Sequence, residues 1–192
     1  MKSIFTLLLL SICTITLAQQ KQYEPTENHP YGMLNPAAPA GTADFDPLVG
    51  TCDCKSVSRN PDGTWQDSLN MEWQFKYIMN GTAVQDEVWR ENDLMAGSIR
   101  QYNADSALWY VSYYTSAVIP ASLPAWSGAK DEEGNIVLYK DQLAPNGAEG
   151  FSILTFQNIT SDGFNWKGEW ISADESIVYP FWTISCAKRE KK

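Results

Sequence analysis

The stretch Trp65-Gln66-Asp67-Ser68-Leu69-Asn70-Met71-Glu72-Trp73-Gln74-Phe75-Lys76-Tyr77-Ile78-Met79, closed by Asn80-Gly81, decides the fold. Leu69, Met71, Trp73, Phe75, Tyr77 and Met79 fall on one face, whereas Gln66, Ser68, Asn70, Glu72, Gln74 and Lys76 fall on the other. Successive side chains of a strand point to opposite sides, so this alternation reads as a strand from Trp65 to Met79 with one buried and one wet face. Asp62-Gly63 before it and Asn80-Gly81 after it are the dipeptides that two-residue hairpin turns select, because both central positions take positive φ.

Outward from there the rhythm repeats. Strands are expected at Thr82 to Glu91, Leu94 to Tyr102, Leu108 to Ala117, Ile136 to Gln142, Phe151 to Thr160, Phe164 to Ser172 and Ile177 to Ala187. Residues 131–135, Asn146-Gly147 and Asp162-Gly163 supply the punctuation. Phe164, Trp166 and Trp170 share a parity opposed by Asn165, Lys167 and Glu169, so again one face is wet. The stretch from Ile119 to Gly128 contains Pro120 and Pro124 and reads as an irregular strand or a loop over the barrel mouth, since Pro cannot donate within a central ladder. No segment carries a helical period. The pattern predicts an all-β chain: one antiparallel up-and-down barrel of eight to ten strands at residues 45–188.

Before the barrel, residues 1–18 have the form of a secretory signal: Lys2, an apolar run from Ile4 to Leu10, and the small residues Thr16 and Ala18. The mature chain is expected from about Gln19, exported to periplasm or medium. Ile12 stands where a lipoprotein signal has a small residue, which argues against a lipid on Cys13. The apolar run is too short to span a bilayer, and no later segment is apolar enough for a transmembrane helix. Residues 19–44 are rich in Pro and Gly without sustained period and read as a linker or extended arm, with the sole histidine, His29, in it. Residues 189–192 form a charged tail.

A net charge of −9 argues against nucleic acid and anionic membrane as partners, because both require a basic face. Beyond the signal lie Cys52, Cys54 and Cys186. An odd count in an oxidising compartment implies one bridge and one leftover thiol. Cys52 and Cys54 share a strand face, and the first and last strands of such a barrel are neighbours, so Cys186 is expected to join one of the two across the closure seam. A three-thiolate metal site lacks a fourth ligand.

Catalytic signatures are mostly excluded: the chain has no phosphate-cradling Gly-rich loop, no paired-His zinc spacing and no histidine to activate a nucleophile within the barrel. Gln85, Glu87 and Trp89 share one strand face, and Ser98, Arg100 and Tyr102 share a face of the next. If both faces point inward, Glu87 and Arg100 form a buried ion pair, which marks a ligand site or a structural network. Trp73, Trp89, Trp109, Trp166 and Trp170, with Tyr77, are candidate walls of an interior; Trp126, beside Pro124, is a candidate loop contact.

Phe45-Asp46-Pro47-Leu48-Val49-Gly50-Thr51 resembles the opening of a lipocalin-like family of small bacterial proteins, and Gly81, Arg100, Tyr102 and Trp109 match its later positions. The resemblance covers most of residues 45–188 and implies a calycin-type barrel, in a family without an established activity. Such barrels usually carry Gly-x-Trp on the first strand, the Trp plugging the base; here the pattern is Gly50-Thr51-Cys52. A Cys52–Cys186 bridge would replace that packing with a covalent tie, with Cys54–Cys186 the rival. Related haem-binding barrels use a histidine, which the expected barrel lacks, so no cofactor is expected. Related fatty-acid binders hold a carboxylate with interior Arg and Tyr, a role that by analogy falls to Arg100 and Tyr102.

The resulting expectation is an exported barrel, monomeric or weakly dimeric, that binds a small apolar or amphipathic molecule inside. The alternatives are a cofactor-free isomerase, cyclase or lyase using Glu87, Arg100 and Tyr102 in the cavity, and a structural or interaction module with a filled core.

Overall fold

The computed structural model describes residues 21–189. The signal expected at residues 1–18 and the end of the charged tail lie outside them. Ten strands follow one another: β1 (Gly50–Ser58), β2 (Leu69–Ile78), β3 (Ala83–Arg90), β4 (Asp93–Asn103), β5 (Leu108–Thr115), β6 (Ala125–Lys130), β7 (Ile136–Asp141), β8 (Gly150–Gln157), β9 (Gly163–Ser172) and β10 (Val178–Lys188). Each pairs antiparallel with its neighbour in sequence, and β1 pairs with β10, closing an up-and-down barrel. The all-β, antiparallel up-and-down barrel read from the alternation is the observed architecture.

The expected and observed strands and their connections differ most in three places, and residues 40–48, expected to be arm and barrel opening, form a 3-10 helix. The strand after the first hairpin begins at Leu69; Trp65 makes only an isolated bridge to Arg59, and residues between them form a long loop with Gly63 at φ 88°. The β2–β3 connection is longer than Asn80-Gly81 alone: Ile78 faces Ala83, and Met79, Asn80 and Gly81 all take positive φ. The Pro-containing stretch divides at Pro124. Residues before it form a loop exposing Val118 and Ile119, whereas Ala125–Lys130 is a regular strand paired on both sides. Once the last Pro is passed, every residue can donate again and the ladder resumes.

One end of the barrel is plugged. A 3-10 helix at Ala40–Leu48 inserts Phe45 and Leu48, both fully buried, between the strand ends. The Phe45 ring meets Trp109 edge-on at 4.8 Å and Phe156 edge-on at 5.5 Å, and stacks on Phe75 at 6.5 Å. Its flanking carboxylates anchor it: Tyr77 donates its hydroxyl to Asp46 at 3.0 Å, and Trp109 donates Nε1 to Asp44 at 3.1 Å. Burial and the Asp46 charge together raise the Tyr77 pKa well above the ordinary phenol range. Thus the closed end, where Gly50-Thr51-Cys52 offers no Trp, is filled by Phe45 and Leu48, which precede the first strand.

Residues 21–39 run across the same closed end. The Asn80 amide oxygen accepts from the Tyr23 N–H at 3.1 Å, Asn35 donates Nδ2 to the Asn80 carbonyl at 3.1 Å, and Tyr77 N–H donates to the Tyr31 carbonyl at 2.8 Å. A Cβ on Gly81 would lie 2.3 Å from the Met33 carbonyl, so this close approach requires glycine as much as its φ of 78° does.

At the seam, Cys54 and Cys186 lie directly opposite one another on β1 and β10 and form a disulfide spanning 132 residues. Cys52 is the free, buried thiol. The Cys52–Cys186 alternative is therefore corrected: Cys52 lies opposite Lys188 and Trp73, one inward position closer to the plugged end.

Candidate functional site: the barrel interior

Antiparallel order places the β1–β2, β3–β4, β5–β6, β7–β8 and β9–β10 connections at the end away from the plug. Between that open end and the plug lies a cavity of about 540 Å³. Its walls are predominantly apolar, with Trp73, Trp126, Trp166 and Trp182 among them, and its rim includes Leu69, Arg90, Lys140 and Gln142. Volume and lining fall within the range of small-molecule sites.

The floor carries the cavity's one buried ion pair. Arg100 and Asp86 meet at 2.9 Å with both side chains about 4% exposed. Arg100 also donates Nη1 to the Ser98 hydroxyl at 2.6 Å; Ser98 in turn donates to Asp86, and Trp73 donates Nε1 to the other Asp86 oxygen at 2.7 Å. The guanidinium rests over the rings of Phe45, Phe75 and Phe156 at 5.0, 5.4 and 5.3 Å. Burial lowers the Arg100 pKa from its ordinary value, and the adjacent Asp86 charge opposes that shift. This is a charge removed from water and compensated on nearly every side, with only Nε lacking a partner among the described residues. Because both Asp86 oxygens are occupied by donors, the carboxylate is not placed as a free acid or base.

This pair corrects the expected one. Glu87 points outward, where it meets Lys76 at 3.5 Å, and Gln85 donates to Tyr114 on the same outer surface. Trp89 lies opposite Glu72 and likewise outside the cavity. The signal for the correct parity was present in the hairpin: Trp73 faces Val88 and Phe75 faces Asp86, and directly opposed residues share a sheet face. Since the odd-numbered side chains of β2 are the apolar ones, the even-numbered side chains of β3 must point inward with them.

The remaining candidates divide by height. Trp73, Arg100, Trp126 and Trp166 line the cavity. Tyr77, Tyr102 and Trp109 lie below its floor: Tyr102 packs edge-on against Trp109 at 5.5 Å and its ring covers Gly41, where a Cβ would come within 2.2 Å. Tyr102 and Arg100 therefore do not converge on one ligand group. Trp170 sits toward the rim and donates Nε1 to the Gln142 carbonyl at 2.9 Å, without lining the cavity. Trp126 is not a loop residue but an inward one on β6, half-buried, donating Nε1 to Ser152 at 3.3 Å and edge-on to Tyr113 at 6.4 Å.

Lys140, Asp86 and Trp182 were not singled out from the sequence. Lys140 follows Ile136 and Leu138 on the inward parity of β7, and its Nζ lies 4.6 Å from the Trp126 ring. Burial lowers its pKa from the ordinary lysine value. A cation on the same parity as two buried aliphatics is the signal that was available. Trp182 donates Nε1 to Ser56 at 2.7 Å and meets Trp166 edge-on at 5.3 Å, which fixes the wall beside the seam.

No protein-family model and no curated protein matches the sequence. Among solved structures, the fold is similar to that of Rv2717c from M. tuberculosis, at 10% identity and a TM-score of 0.52, over 80% of this chain and 99% of that one. It is also similar to the S-type phycobiliprotein lyase CpeS from Guillardia theta, at 13% identity and a TM-score of 0.50, over 77% of this chain and 92% of that one. At such identities the likeness is one of fold.

Proposed function

We propose that this protein binds a small, largely apolar molecule in the interior of its barrel. One observation carries the reading: the barrel is plugged at one end yet hollow above the plug, with about 540 Å³ of space walled by tryptophans and aliphatic side chains. A barrel serving only as a structural module would gain stability by filling that space, since interiors otherwise pack densely. Aromatic walls supply burial and stacking, while the few polar groups orient the ligand. The enzyme alternative built on Glu87, Arg100 and Tyr102 finds no support in the geometry, because these three groups lie respectively outside the barrel, on the cavity floor and beneath it.

Native mass spectrometry of protein purified from its own host tests the reading. The expected result is a retained small-molecule mass that disappears in Ala96→Phe, which projects a ring into the cavity from β4. A folded wild-type protein that takes up neither its host's lipophilic extract nor any apolar fluorescent probe would overturn it.

We further read the protein as exported and as a monomer or weak homodimer. The form of residues 1–18 supports export, as does a disulfide of the kind that persists in oxidising compartments. Terminal sequencing of the mature protein should begin near Gln19; an intact Met1 would argue against export.

A further inference from the structure

We infer that the cavity's ligand is an organic anion, an amphiphile whose acid group sits at the open end on Lys140 and whose apolar body lies along the wall of Trp73, Trp166 and Phe156. This rests on the binding reading above and adds the sign of the ligand's charge and the residue that recognises it.

The cavity and the protein as a whole differ in electrical character. The chain carries a net charge of −9, yet the ionisable residues of charge that line the cavity are Arg90, Arg100 and Lys140 against Asp86 alone, an excess of two positive charges. The excess lies toward the mouth. On the floor, Arg100 and Asp86 cancel at 2.9 Å, with Ser98 and Trp73 as further partners of the pair and only the Arg100 Nε left without one among the described residues. Arg100 is thus a poor receptor for an incoming acid, which would have to compete with a carboxylate already in place.

Lys140 is in the opposite situation. It is half-buried, and among the described residues its Nζ has neither a hydrogen bond nor a carboxylate within ion-pair distance. Asp141, its neighbour, points to the exposed outer face. What holds Lys140 is the face of Trp126, itself fixed by Ser152 and Tyr113. The cation therefore has a built seat and no counter-charge, partly removed from water, which is an unfavourable state that an anion relieves. A cationic ligand would meet repulsion here, and a neutral one would gain burial only.

The test compares three probes with one tail: dodecanoate, dodecanol and dodecyltrimethylammonium. Each is titrated into the wild type, Lys140→Met and Lys140→Arg, with quenching of tryptophan fluorescence as readout. In the wild type, dodecanoate should bind at least about tenfold more tightly than dodecanol, the lower end of what a close charge pair contributes. The ammonium probe should bind weakest. In Lys140→Met the ratio of dodecanoate to dodecanol affinity should fall to about one, and Lys140→Arg should restore it. Equal binding of acid and alcohol by the wild type, or an acid preference that survives in Lys140→Met, overturns the inference while leaving the cavity as a binding site. Failure of all three probes to bind sinks both readings.

Discussion

Arg100 and Asp86 hold the floor of the cavity together, and their energetics follow from their burial. Breaking a buried pair leaves an uncompensated charge, so Asp86→Ala should destabilise the protein by about 3–5 kcal/mol. Replacing both partners by apolar residues, as in Asp86→Leu with Arg100→Met, should recover most of that loss; urea unfolding measures both, and a double variant no better than the single one would refute the account. Glu87→Gln, on the outer face with a partly exposed Lys76 partner, should change stability by less than about 0.5 kcal/mol. Cys52 makes a different kind of prediction. Burial raises its pKa from 9.0 to about 11, so the folded state holds the thiol proton longer than the unfolded chain does. Its share of stability is full below pH 9 and is lost as the pH climbs from there to about 11. At pH 8 the native protein should resist alkylation at Cys52, while the denatured protein reacts; peptide mapping that finds native Cys52 labelled at the denatured rate would contradict this.

At the scale of elements, the plug and the seam decide how firmly the barrel closes. Phe45 touches three rings at the centre of the closed end, and its truncation to Ala should cost about 3–5 kcal/mol, read as a fall in the urea midpoint with an unchanged slope. The motif at residues 45–51 was legible as a family-like opening, but its physical role was not. Only the folded chain shows Phe45 entering the base and Asp46 receiving the Tyr77 hydroxyl. The disulfide joins the first strand to the last, and Cys54→Ala with Cys186→Ala should lower stability by about 2–5 kcal/mol in denaturant unfolding. The sequence narrowed the bridge to Cys186 with one of two residues on the same face. Choosing between them required the β1–β10 register, a tertiary quantity set by the length of every intervening strand and turn. The same limit explains β6: Pro120 and Pro124 announce a break in the ladder, but not that pairing resumes at Ala125.

For the whole molecule, binding and stability are linked. A ligand that occupies the cavity of the folded protein and has no affinity for the unfolded chain should stabilise it by about 2.7 kcal/mol at a concentration of 100 times Kd, seen as a rise in Tm. An occupant that leaves Tm unchanged at saturation is not in the barrel interior. Alternation along the chain pointed by itself to an all-β barrel of eight to ten strands, because a period of two has only one geometric meaning and successive antiparallel segments have few ways to bury their apolar faces. It also marked Trp73 and Trp166 as lying on the buried face. Which acid meets Arg100, which aromatics fall below the floor, and that Lys140 stands uncompensated at the mouth were decided only in three dimensions. Parity tells a side chain which face it occupies, whereas depth along the barrel and the identity of its neighbours arise from register and closure, which no local pattern encodes.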